Sequence, residues 1–144
     1  MARKILLTVL VLVGAYFGYD LSDSVSLQSG PSAVAVDELQ RVIAERRSAT
    51  QVRGAGTVTR VLSDDNDGSR HQRFILRIAS GESLLIAHNI DLAPRVAGLN
   101  VGDTVSFYGE YEWNDRGGVI HWTHHDPRGT HEGGWVEHDG RRYQ

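Results

Sequence analysis

GDTVSFYGEYEW, residues 102–113, carries the period of a half-buried strand: Val105, Phe107, Tyr111 and Trp113 share one face, with Gly109 between them. A Gly-Asp-Thr-Val start is common at the fourth strand of small OB-type barrels, so the flanking sequence should hold four more strands. It does. Upstream, VRGAGTVTRVL from Val52 is rich in β-branched residues, with glycines that permit bends or bulges. The acidic turn SDDNDGSR leads into HQRFILRI, where Phe74, Leu76 and Ile78 share a face. Ser80-Gly81-Glu82 turns the chain into SLLIAH. NIDLAPRVAGLNVG then breaks the pattern with Pro94 and Gly98, as a loop or short helical turn does. Downstream, NDRGG turns the chain and VIHWTHH returns. Residues 51–144 therefore read as a mainly β, OB-like five-stranded barrel. WVEH-DG-RRYQ adds a C-terminal hairpin, because Asp-Gly favours a type I′ turn.

Turn length sets a register. With Asn114–Gly117 as a four-residue turn, Trp113 opposes Gly118 and Tyr111 opposes Ile120. Glu110 then opposes His121 on the outer face, and Trp122 fills the space that Gly109 leaves inside. A carboxylate beside a histidine orients the ring and raises its basicity.

The chain has 144 residues, a net charge of −3 and no cysteine. Disulfides, thiolate nucleophiles and cysteine-type zinc sites are excluded. From Gln51 onward, ten arginines face thirteen acidic residues, which argues against indiscriminate binding to nucleic acid. Arg3 and Lys4 precede an uncharged run from Ile5 to Tyr19, the layout of an export signal peptide or an uncleaved inner-membrane anchor. Either places residues 51–144 outside the cytoplasm, periplasmic or held at the inner membrane. Residues 20–50 read as a tether followed by a short amphipathic helix, Val36–Arg47, with Asp37 and Glu38 in its first turn and Arg46 and Arg47 in its last.

Four of the seven histidines lie in HWTHHDPRGTHEGGW, residues 121–135. His121, His125, Asp126 and His131 are candidate ligands for zinc or another divalent metal. His121 and His124, with Glu110, are the candidate catalytic groups of a hydrolase, nuclease-like in its use of histidine and arginine. In an OB barrel the loops between strands one and two, and four and five, flank the ligand face. Arg70, His71 and Arg73 start the second strand at that rim and His88 ends the third, a set suited to a polar or anionic ligand. Trp135 is a further binding candidate, or an anchor for an envelope protein partner. Asp64–Gly68 resembles half of a calcium loop but lacks the twelfth-position carboxylate, where Phe74 stands if Ser63 is the first position. It reads as a turn.

DDNDGSRHQRFIL, LLIAHNIDLAPR, GEYEWN and GGVIHWTHHDPRG together resemble a family of short bacterial proteins known as a domain of unknown function. The resemblance spans residues 54–143 and implies an exported bacterial protein of this size. It implies no activity, substrate or catalytic residue. The functional expectation from the residues is ligand binding on the barrel face, with the hydrolase and the interaction module as alternatives.

Overall fold

The computed structural model describes residues 30–144. The expected leader at residues 1–19 and most of the tether lie outside the described residues. Among the described residues, no helix is long and apolar enough to cross a membrane.

Helix α1, Ala33–Ala44, begins earlier than hydrophobic spacing predicted. Ser32 is extended and its Oγ accepts the Ala35 N–H at 3.4 Å, so the cap sits upstream of the apolar stripe. Asp37 and Glu38 consequently miss the first turn. Arg46 adopts a left-handed φ of 53°, which leaves it and Arg47 beyond the helix end. Leu39 and Val42 are buried and pack the helix onto the first strand.

Seven strands follow: β1 Thr50–Val61, β2 His71–Ile78, β3 Ser83–Asn89, β4 Thr104–Glu112, β5 Val119–His121, β6 Trp135–His138 and β7 Arg141–Tyr143. The order β1-β2-β3-β5-β4 closes through β1–β4 pairing, with β3 and β5 parallel and the other neighbours antiparallel. This is the OB-type barrel expected from GDTV. β1 closes it by serving two partners: residues 50–57 pair with β4 and residues 56–61 with β2, across a bulge between Val58 and Arg60. The β6–β7 hairpin extends the sheet from β4, and its Asp139-Gly140 turn has positive φ at both residues, as type I′ requires.

Period-two alternation sets the core. Phe74 and Leu76 on β2, Leu84 and Ile86 on β3, and Val105, Phe107 and Tyr111 on β4 are fully buried. Trp113 does not join them. β4 ends at Glu112, leaving the indole 41% exposed beneath the Arg46 guanidinium, 4.8 Å from the ring centre. The residues that announced the fold also tie it together. Asp103 Oδ2 accepts the Asn100 N–H at 2.8 Å and pairs with His138 Nε2 at 2.8 Å, pinning the start of β4 to the hairpin. The Asn100 N–H first, then His138, hold the Asp103 carboxyl below its ordinary value.

Candidate functional site

One edge of β4 pairs with β1, and the other carries two successive partners. Residues 110–112 pair with β5, residues 105–108 with β6, and the chain between those partners, 122–134, is an excursion rooted on β4. The four clustered histidines sit on this excursion or at its first step.

The predicted register holds from Tyr111–Ile120 to Glu110–His121, and His121 Nε2 lies 3.3 Å from Glu110 Oε1. It then stops. Trp122 has φ 54°, a left-handed conformation that ends the strand and breaks the alternation. Thr123, not Trp122, enters the core beside Gly109; a Cβ on that glycine would lie 2.8 Å from Thr123 Cγ2 and 2.5 Å from the His121 carbonyl oxygen. Trp122 instead stacks on His131, ring centres 3.8 Å apart and planes within 8°. Its other neighbour is the buried His124, at 5.1 Å.

Asp126 shapes the loop that makes this stack possible. Its buried carboxylate accepts the N–H groups of Arg128, Thr130 and His131 and the Thr130 hydroxyl, at 2.8–3.1 Å. These bonds, the one from Arg128 first, hold its carboxyl far below the ordinary range. The carboxylate organises its own loop, and among the described residues neither it nor the exposed His125 joins a metal-ligating group with His121.

The loop returns His131 to the strand. His131 Nε2 meets Glu110 Oε2 at 2.6 Å, and His131 Nδ1 meets the Glu132 carbonyl at 2.7 Å. A carbonyl and an ionised carboxylate both accept, so this geometry favours the doubly protonated form of His131. Burial opposes that charge, but the bonds to Glu110 and Glu132 outweigh it and raise the pKa above 6.5. Glu110 therefore holds His131 with one oxygen and faces His121 with the other.

Glu112, two residues along β4 on the same face, places Oε1 3.8 Å from His121 Nε2 and also accepts the Ala49 N–H at 3.3 Å. Glu110, Glu112 and His121 are the group among the described residues whose donors converge closely enough for one metal ion. The sequence reading passed over Glu112. Its position two residues from Glu110 on an alternating strand was the available signal.

Beside this group lies an open concavity of about 360 Å³, with Leu85, Ala87 and Val119 beneath Asp65, His71, Arg73, Glu112 and His121. Arg73 Nε donates to the Ser63 carbonyl at 3.0 Å, which sets the guanidinium at its rim. The other ligand candidates are elsewhere. Arg70 is committed to Asp91, through Nε to Oδ1 at 2.7 Å and through its own N–H to Oδ2 at 2.8 Å. Trp135 lines a separate groove, with Arg53 and Arg142 guanidiniums 5.8 and 4.1 Å from its ring centre. Tyr108 flanks it; burial, then its bond to the Glu132 carboxylate, pushes the phenol up to about 12.

His88 was expected on the ligand face and is inside, fully buried, because it continues the inward alternation of Leu84 and Ile86. Its Nε2 donates to the Pro94 carbonyl at 3.0 Å and its Nδ1 takes the Thr123 hydroxyl at 2.8 Å, the pattern of a neutral ring. Burial lowers its pKa below 6.5. The unfolded chain takes up this proton first, so the contribution of His88 to stability is complete above 6.5 and is lost as pH falls towards the folded value. The His88 ring resonances should stay unmoved in NMR spectra as pH passes from about 8 to about 6.5. A titration midpoint at or above the ordinary value would remove this assignment.

Residues 22–144 match the family described as Protein of unknown function (DUF3465). The chain belongs to that family. The match takes in every described element of this DUF3465 domain, from α1 to β7, including the resemblance carried by the four sequence motifs. No curated protein matches the chain.

Proposed function

We propose that this domain is a ligand-binding module of the bacterial envelope, and that its outer face takes a small polar ligand bearing an anionic group. The concavity between β2 and β5 carries the reading. An apolar floor of Leu85, Ala87 and Val119 beneath a few convergent polar groups is the usual make-up of a small-molecule site. Arg73 supplies the cationic fork for the anionic group. His71, Asp65 and Glu112 offer donors and acceptors for hydroxyls around it. The basic start and apolar run from Ile5 to Tyr19 support placement outside the cytoplasm, released or held at the inner membrane.

The test is a thermal-shift panel of monosaccharides, sugar phosphates, nucleotides and dipeptides on the full chain. At least one anionic compound should raise the melting temperature by several degrees, as about 100-fold excess over Kd stabilises by ~2.7 kcal/mol. The same compound should leave Arg73→Ala unshifted. Equal shifts in parent and variant would sink the assignment of Arg73, and a panel without effect would sink the proposal.

A further inference from the structure

We infer that Glu110, Glu112 and His121 form a divalent-cation site on the outer face of β4 and β5, with His131 as its positioning residue. The inference stands on these donors and not on the ligand proposed above.

The first observation is an orphaned donor. His121 Nε2 is enclosed by protein and makes no hydrogen bond, although two carboxylate oxygens lie 3.3 and 3.8 Å away. A buried ring nitrogen left unpaired is costly, and here the neighbours are near enough to pair but misaligned for it. The second observation is the spacing. Two ligands about 2.0–2.1 Å from one tetrahedral zinc lie roughly 3.3–3.4 Å apart. The His121–Glu110 separation of 3.3 Å has that length, and all three donors fall within 4.8 Å of one another.

The third observation is how Glu110 is held. One oxygen accepts His131 Nε2 at 2.6 Å, which orients the carboxylate and leaves the other oxygen turned to His121. Trp122 stacked on His131 at 3.8 Å restrains that ring in turn. Outer hydrogen bonds of this kind fix metal ligands elsewhere. One imidazole and two carboxylates suit zinc, or manganese with added waters, and the half-exposed Glu112 leaves the site open to the concavity.

The experiment uses the full chain, stripped with chelator and titrated with Zn²⁺ alone by calorimetry and native mass spectrometry. One equivalent should bind. Affinity should fall at least about 10-fold in Glu112→Gln and in Glu110→Gln, and about 10–100-fold in His131→Ala, which removes no ligand. A chain that retains no stoichiometric ion, or variants that bind as the parent does, would overturn the site. A second measurement needs no variant: Mn²⁺ should broaden the amide signals of Glu110, Glu112 and His121 first. Broadening centred instead on Asp64–Asp67 would place the ion in the acidic turn and also overturn the inference.

Discussion

Phe107→Ala is expected to destabilise the domain by about 3–5 kcal/mol, the range for deleting a buried ring. The neighbourhood explains why. Phe107 is fully buried on β4, and opposite it on β1 stands Gly54. A Cβ on that glycine would lie 2.5 Å from Phe107 Cζ and 2.7 Å from Leu39 Cδ2, so the ring occupies the volume a side chain would fill. Removing the ring leaves a void bordered by a residue with no side chain to collapse into it. It also strips the seat of Leu39 and loosens α1. Urea unfolding followed by circular dichroism measures the loss, against a total of roughly 5–15 kcal/mol for a domain of this kind. A double-mutant cycle sharpens the test. Gly54→Ala should be strongly destabilising in the parent and milder in Phe107→Ala, because the ring is gone and the remaining close atom, Leu39 Cδ2, ends a flexible side chain. Equal costs in both backgrounds would contradict this packing.

Gly134→Ala should cost about 2–4 kcal/mol and detach the histidine loop. Gly134 is where the excursion rejoins the barrel, and its N–H donates to the His124 carbonyl at 2.9 Å. An added Cβ would strike the carbonyl oxygens of Trp122 and Tyr108 together. Both are backbone atoms, so neither yields by changing a rotamer. The chain must lift, and with it the Asp126 turn and the His131–Glu110 bond. Hydrogen exchange separates local from global effects: Thr130 and His131 amides should lose protection before Phe74 and Leu76 do. A variant with parental midpoint and a protected His131 amide would show that the close approach is dispensable.

Much of the barrel was legible before the structure. Strands of period two, a four-residue turn and an Asp-Gly hairpin leave few arrangements in which every apolar face points inward. The Glu110–His121 pair followed from that constraint alone. The same rule, applied to SLLIAH, would have placed His88 inside with Leu84 and Ile86. That error came from weighing residue chemistry over alternation, not from missing information. Trp122 is different. Alternation put it in the core, and a single left-handed residue reversed the faces of everything after it.

The sequence by itself determined the strand count, the register of β4 with β5 and the outer-face position of Glu110, Arg73 and His121, because each depends on contacts within one or two neighbouring strands. Only the tertiary structure decided that His131 returns to Glu110. That return requires Asp126 to gather four donors from its own loop and Gly134 to slide between two carbonyls. Neither condition is written in a period. Each is a matter of where distant backbone lies, and the histidine cluster becomes a site only after the barrel has set that distance.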